Sequence, residues 1–121
     1  MSPARPMRIL VADDEPIIVS AVQRVLARRG HTVMTAADAA GALALLDSNG
    51  FDAALVDVHM PGNGVTVIER LQSHPDFDGP IVLMSGAIAA DPLVQVGPDV
   101  IRLQKPFRLT ELVPLLEGGD P

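Results

Sequence analysis

The sequence contains no cysteine, which excludes disulfide bonds, thiolate metal sites and a cysteine nucleophile. It also lacks tryptophan and tyrosine and has only 3 phenylalanines, although 48% of its residues are hydrophobic. The core must therefore consist of Val, Ile, Leu, Ala and Met side chains, a composition that suits buried parallel strands. The lack of cysteine is typical of a reducing compartment, and we expect a cytoplasmic protein.

Positive charge is scarce, because 9 Lys and Arg residues stand against 15 Asp and Glu residues, for a formal net charge of −6. This balance argues against direct nucleic-acid binding by the chain and against binding to an anionic membrane surface. No stretch approaches the roughly 20 apolar residues that a membrane span needs. Asp13 and Asp14 interrupt the first apolar run, so we do not expect a secretory signal sequence there.

The length of 121 residues is that of one ordinary domain. We predict that residues 8–117 form this domain, that residues 1–7 are a disordered N-terminus, and that residues 118–121 are a frayed C-terminus.

Short apolar runs alternate with segments of helical periodicity along the chain. Pro16 and Gly30 bound the first predicted helix, and Asp38 is a predicted N-cap of the second. The apolar runs lie at residues 9–12, 31–36, 51–58, 81–84 and 100–103. Five such strands separated by helices predict an α/β fold, a doubly wound parallel sheet with helices on both faces.

Two later helices are predicted to depart from ordinary length. After Asp91 and Pro92, only residues 93–96 precede Gly97, so we expect a shortened fourth helix. The last helix contains Pro114, which has no backbone N–H to donate a hydrogen bond, so we expect this fifth helix to be short or kinked.

Polar side chains follow four of the predicted strands, where an apolar sheet does not need them: Asp13, Asp14, Asp57, Ser85 and Lys105. Because the carboxyl ends of parallel strands share one edge, we expect these five side chains to converge. Three carboxylates and one ammonium leave a net negative charge that favours a divalent cation. Oxygen ligands with room for water suit Mg²⁺ better than a caged Ca²⁺.

A carboxylate beside such a cation can act as a nucleophile toward a phosphoryl donor. Lys105 and Mg²⁺ would offset charge on the transferred oxygens, and the Ser85 hydroxyl could donate to another. Taken singly, each motif is more typical of a loop or a helix cap. Their conjunction at successive strand ends favours a phosphoacceptor or a degenerate relative of one.

Four segments closely resemble the receiver domains of bacterial two-component response regulators: Val11–Pro16, Asp57–Gly62, Met84–Ala87 and Lys105–Phe107. The resemblance runs from about Arg8 to Leu116. It implies a flavodoxin-like five-stranded fold and a switch in signal transduction or a phosphorelay. The expected partners are a sensor histidine kinase or histidine phosphotransfer protein and an unknown output protein. The implied reaction is self-catalysed phosphotransfer and autodephosphorylation, not enzymatic turnover of a separate substrate.

The resemblance assigns the metal ligands residue by residue. Asp14 and Asp57 would hold Mg²⁺ directly, the His59 backbone carbonyl would be a further ligand, and Asp13 would act through water. The His59 side chain lies where receivers tune how fast the acyl phosphate hydrolyses, so we expect His59 to tune signal lifetime.

The resemblance also assigns the phosphoryl contacts. Asp57 would be the phosphoacceptor, Lys105 would contact the phosphoryl group, Ser85 would be the switch hydroxyl, and the bond before Pro106 would be cis. Arg102 stands where receivers usually carry a switch aromatic. It is either an exposed arginine without a switching role or a partner for Glu111 or an incoming acid.

Two other functions remain open from the sequence. A pseudo-receiver would keep the fold and bind proteins without phosphate. A hydrolase with an aspartyl nucleophile is disfavoured, since the Asp-x-Asp that such phosphatases carry after the first strand is missing. His31 and His74 have no partner pattern, and we interpret them as structural or exposed.

Overall fold

The computed structural model describes residues 5–92, 97 and 99–118. The described residues form five strands, all parallel, in the order β2-β1-β3-β4-β5. The strands are β1 Arg8–Ala12, β2 Thr32–Ala36, β3 Ala53–Asp57, β4 Ile81–Ser85 and β5 Ile101–Gln104, and the helices are α1 Pro16–Arg28, α2 Ala39–Ser48, α3 Gly64–Ser73 and α4 Leu109–Glu117. This arrangement confirms the predicted α/β class and the flavodoxin-like strand order.

The core lies on both faces of the sheet, which explains the continuous apolar runs. Along β1, Ile9 and Val11 pack on the face covered by α1 and α4, whereas Leu10 and Ala12 pack on the face covered by α2 and α3. All residues of β3 and β4 are buried. Each fully buried Val, Leu or Ile side chain contributes about 1.5–3 kcal/mol to the free energy of folding.

The ends of the first two helices follow the sequence signals. α1 begins at Pro16, whose missing amide costs nothing in the first turn, and Gly30 follows its end with φ of +92°. Asp38 is the N-cap of α2, and its carboxylate accepts a hydrogen bond from the Gly41 amide at 2.7 Å. The two helices pack on opposite faces of the sheet through buried side chains, Val22 and Leu26 in α1 and Ala42 and Leu46 in α2.

The last helix, which the sequence predicts as the fifth and which is α4 among the described helices, is short, as expected from its proline. α4 has 9 residues, and Pro114 lies inside it. The predicted shortened helix at residues 93–96 falls outside the described residues. Within the described part of the chain, no helix is long and apolar enough to cross a membrane.

A buried histidine joins both ends of the domain. His31 is buried, and its Nδ1 accepts a hydrogen bond from the Met7 amide at 3.1 Å, although Met7 belongs to the segment that we expected to be disordered. His31 Nε2 lies 2.8 Å from a Glu117 carboxylate oxygen, and Arg29 binds that carboxylate through two nitrogens. Because Nδ1 accepts, the neutral ring carries its proton on Nε2 and donates it to Glu117.

We expect Glu117→Gln to destabilise the protein by about 1 kcal/mol at neutral pH, because it weakens the bonds to Arg29 and His31. Its hydrogen bond to Arg29, together with the bond to His31, lowers the pKa of Glu117 below 4.5 despite partial burial. A lowered folded-state pKa gives stability that is present above pH 4.5 and lost as the pH falls through the folded value.

Urea unfolding at several pH values measures the difference in the free energy of unfolding between the wild type and Glu117→Gln. Glu69→Gln is the matched control, because Glu69 is an exposed glutamate of α3. A difference between wild type and Glu117→Gln that stays constant down to pH values well below the folded-state pKa would contradict the assignment.

Candidate functional site

The five predicted side chains meet at one edge of the sheet. Asp13 and Asp14 follow β1, Asp57 ends β3, Ser85 ends β4, and Lys105 follows β5. Parallel pairing of β1 with β3, of β3 with β4, and of β4 with β5 brings these strand ends to the same edge. The carboxyl edge of the sheet is where such folds bind ligands.

Three carboxylates form an oxygen-lined cluster at this edge. One oxygen from each of Asp13, Asp14 and Asp57 lies within 4.8 Å of the other two. Asp13 and Asp57 are buried, whereas Asp14 is exposed and leaves the cluster open to solvent. An open cluster of carboxylates fits Mg²⁺, which keeps water ligands when bound to proteins.

Asp13 supplies a second indication of a cation. Its Oδ1 accepts a hydrogen bond from the Glu15 amide at 2.9 Å, but within the described residues its buried Oδ2 has no hydrogen-bonded donor. Lys105 Nζ lies 3.1 Å from that oxygen as an ion pair. Burial raises the pKa of Asp13, although the Glu15 amide and Lys105 oppose the rise. A cation at the cluster would compensate this buried oxygen.

Lys105 neutralises part of the cluster. Its Nζ lies 2.8 Å from Asp57 Oδ2 and 2.5 Å from Glu15 Oε1. Burial alone lowers the pKa of Lys105, but hydrogen bonds to Asp57 and Glu15, together with the ion pair to Asp13, outweigh it and raise the pKa above its ordinary value. Lys105 is therefore a cation at physiological pH. Glu15 directly follows the two aspartates, but no sequence motif assigns it a role in this cluster.

The position of Asp57 is fixed from its own loop. Its Oδ1 accepts a hydrogen bond from the His59 amide at 2.8 Å. Gly64 packs against the end of β3, where a Cβ would lie 2.1 Å from the Asp57 carbonyl oxygen. Only glycine fits at this position, so the first residue of α3 packs directly on the backbone of Asp57.

Ser85 is buried and bonded on both sides. Its Oγ accepts a hydrogen bond from the Ala87 amide at 3.1 Å and donates one to Asp91 Oδ2 at 2.8 Å. The same Asp91 oxygen is hydrogen-bonded to His59 Nε2. In the sequence, Asp91 only precedes the predicted shortened fourth helix, and nothing local connects it to Ser85.

The loop after β4 is also tied to β5. The Gln104 side chain donates to the carbonyl oxygens of Gly86 at 2.6 Å and Lys105 at 2.7 Å, and it accepts from the Ile88 amide at 3.0 Å. The peptide bond between Lys105 and Pro106 is cis. Gln104 thus holds the loop that carries Ser85 beside the segment that carries Lys105.

Arg102 binds backbone oxygens of its own connection. Its guanidinium is half-buried and donates to the carbonyl oxygens of Val100 at 2.8 Å and Gly97 at 3.0 Å. The Glu111 carboxylate instead accepts from the Arg108 amide at 3.0 Å. These described contacts differ from the Arg102–Glu111 pair that the sequence suggested.

His74 has a local structural contact. Its Nδ1 accepts a hydrogen bond from the Asp76 amide at 3.2 Å, in the turn after α3. With His31 bonded to Met7 and Glu117, both histidines contact groups outside the acidic cluster.

Comparison with known proteins identifies a family. Residues 9–117 match the family model described as the response regulator receiver domain. The transcriptional regulatory protein TcrA of Mycobacterium tuberculosis is 37% identical, and the match covers 94% of this chain and 52% of TcrA. The chain thus spans about half the length of this curated relative.

Two solved structures are similar in fold and informative about the site. The receiver domain of the sensor histidine kinase PA1611 from Pseudomonas aeruginosa, with magnesium in its active site cleft, is 25% identical, with a TM-score of 0.75 and coverage of 95% of this chain and 100% of that one. A response regulator protein from Burkholderia pseudomallei with a phosphorylated aspartic acid is 27% identical, with a TM-score of 0.73 and coverage of 90% and 65%.

Proposed function

This chain belongs to the response regulator receiver domain family, and on that basis we propose that Asp57 accepts a phosphoryl group from a histidine kinase or histidine phosphotransfer protein. The observation that supports the proposal most strongly is the ion pair of 2.8 Å between Asp57 and Lys105, beside the carboxylates of Asp13 and Asp14. A buried carboxylate with one cationic neighbour and an opening to solvent is placed to react with a phosphoryl donor.

The carboxylate cluster fits Mg²⁺ as a cofactor. In this proposal Asp14 and Asp57 hold the ion directly, the His59 backbone carbonyl is a further ligand, and Asp13 acts through water. When bound, Mg²⁺ polarises the phosphoryl group and offsets the charge that accumulates on its oxygens. The buried Asp13 Oδ2, which has no hydrogen-bonded donor in the described part of the chain, supports this assignment.

The transfer forms one bond and breaks one. An Asp57 carboxylate oxygen attacks the phosphorus atom, and the bond from phosphorus to the donor nitrogen breaks, with its electron pair returning to the imidazole. Lys105 then pairs with an oxygen of the new acyl phosphate, and the Ser85 hydroxyl donates to another. Attack of water on the phosphorus later releases inorganic phosphate and restores the Asp57 carboxylate.

The similar proteins support this reaction and extend it to partners. The Burkholderia pseudomallei protein carries a phosphorylated aspartic acid, and the PA1611 domain holds magnesium. TcrA is a transcriptional regulatory protein, about half of which this chain matches. We therefore propose that the chain acts in the cytoplasm as a switch, with residues 8–117 as its receiver domain and an unidentified output protein or domain as its target.

Phosphoryl uptake from a small donor tests the proposed function. We expect incubation with acetyl phosphate and Mg²⁺ to add the mass of one phosphoryl group to the intact protein, and we expect excess EDTA to prevent the addition. Both spectra are recorded by intact-protein mass spectrometry. A protein that folds and gains no mass with Mg²⁺ would favour the pseudo-receiver, which binds proteins without phosphate.

A further inference from the structure

The Ser85 hydroxyl is bonded to a carboxylate that lies outside the acidic cluster. Its Oγ donates to Asp91 Oδ2 at 2.8 Å, and both residues are buried, with 1% and 8% of their surfaces exposed. A hydrogen bond to an ionised acceptor is about twice as strong as one between neutral groups. The hydroxyl is therefore firmly held in the absence of a phosphoryl group.

The loop that carries Asp91 is fixed by its own backbone. The Asp91 amide donates to the Ala87 carbonyl oxygen at 2.8 Å, and the Ala87 amide donates to Ser85 Oγ at 3.1 Å. The Gln104 side chain bonds to two further backbone groups of this loop. Asp91 is thus held in place opposite the hydroxyl.

We propose that Asp91 is a positioning residue that holds the Ser85 hydroxyl until a phosphoryl group on Asp57 competes for it. The inference rests on the proposed function, in which Ser85 donates to a phosphoryl oxygen. A hydroxyl has one proton and donates one hydrogen bond. Donation to Asp91 and donation to the phosphoryl group therefore exclude each other, and Asp91 opposes the phosphorylated state.

His59 makes this exchange feasible. A buried carboxylate that loses its donor is strongly penalised. Asp91 Oδ2 keeps a second hydrogen-bond partner, His59 Nε2, when the Ser85 hydroxyl turns away. The His59 side chain is 58% exposed and lies two residues after Asp57, so it reaches Asp91 from the loop that carries the phosphoacceptor. Asp91 thereby connects the loops after β3 and β4.

Asp91→Ala removes the competing acceptor. We expect it to tighten binding of beryllofluoride, a tetrahedral phosphoryl mimic, to the Mg²⁺-loaded protein by about tenfold, which corresponds to one hydrogen bond to a charged acceptor. Asp91→Asn keeps an acceptor oxygen without the charge, so we expect a smaller increase. Beryllofluoride is not hydrolysed, so the measurement is independent of phosphate lifetime.

A double-mutant cycle separates the effect of the Ser85 hydroxyl on beryllofluoride binding from the effect of the Asp91 charge. Removing a carboxylate near an anion tightens binding by itself, and that effect persists when Ser85 is absent. We expect Asp91→Ala to tighten binding markedly less in the Ser85→Ala background than in wild type, with the dissociation constants taken from NMR titrations. Before any beryllofluoride is added, Asp91→Asn is expected to shift the His59 imidazole resonances and to leave amide signals outside the two loops in place.

Two results would overturn the inference and leave the proposed function standing. If Asp91→Ala tightened beryllofluoride binding equally in both backgrounds, Asp91 would act on the ligand through its charge and not through the Ser85 hydroxyl. If the His59 imidazole resonances of Asp91→Asn matched those of the wild type, His59 would not contact Asp91. A wild-type protein that binds no beryllofluoride with Mg²⁺ would overturn the proposed function, and this inference with it.

Discussion

Replacement of Asp57 by asparagine is expected to abolish phosphoryl uptake from acetyl phosphate, with a loss of at least about 10³-fold in rate. An amide oxygen lacks the negative charge that makes the carboxylate a nucleophile. Asparagine retains the shape of the side chain and an oxygen that can accept the His59 amide, which bonds to Asp57 at 2.8 Å. The loss therefore reports chemistry and not a displaced loop.

Asp47→Asn is the matched control for this substitution. Asp47 is an aspartate of α2 that pairs with Arg70 at 2.7 Å on the surface. We expect this variant to take up phosphate as the wild type does, by intact-protein mass spectrometry. Uptake at an undiminished rate by Asp57→Asn would show that another group accepts the phosphoryl group.

Lys105→Ala is expected to slow phosphoryl uptake by about 10²–10³-fold, the loss typical of one preorganised charge at a reacting oxygen. Lys105 is held by Asp57, Asp13 and Glu15, and its raised pKa keeps it charged through the neutral range. The initial rate of mass gain from acetyl phosphate measures this effect. Lys105→Arg keeps the charge with a different geometry, so we expect it to retain more activity than alanine.

The Lys105→Ala substitution is also expected to change the stability of the protein and the effect of Mg²⁺ on that stability. Without Lys105, the buried carboxylates of Asp13 and Asp57 have no ammonium between them, so we expect a loss of about 1–3 kcal/mol. Mg²⁺ should then raise the unfolding temperature more in Lys105→Ala than in wild type, because the cation relieves a larger repulsion. Equal uptake rates in wild type and Lys105→Ala, or equal Mg²⁺ stabilisation, would contradict the role given to Lys105.

The fold could be predicted because local sequence features identify the strands. The run from Ala53 to Val56 is apolar at every position, which a strand buried on both faces requires. The helix ends are indicated by Pro16, Gly30 and Asp38, whose effects on the backbone depend only on residues nearby in the sequence. Parallel pairing follows from the alternation of strands and helices, and it brings the strand ends to one edge.

The remaining contacts of the site depend on how loops fold over that edge. Asp91 lies six residues after Ser85, and its sequence neighbours predict only the start of a shortened helix. Glu15 reaches Lys105 across 90 residues of chain, and Gln104 binds the loop after β4 through backbone groups that no motif encodes. Arg102 likewise bonds to carbonyl oxygens, which every residue offers, so its sequence context could not identify them.

The position of the phosphoryl group is the most direct test of the central claim. Borohydride reduces an aspartyl phosphate to homoserine, and peptide mass mapping then locates the changed residue. After incubation with acetyl phosphate and Mg²⁺, we predict homoserine at position 57, and we predict none when Mg²⁺ is withheld. Homoserine at another aspartate, or none in a protein that has gained phosphoryl mass, would contradict the account.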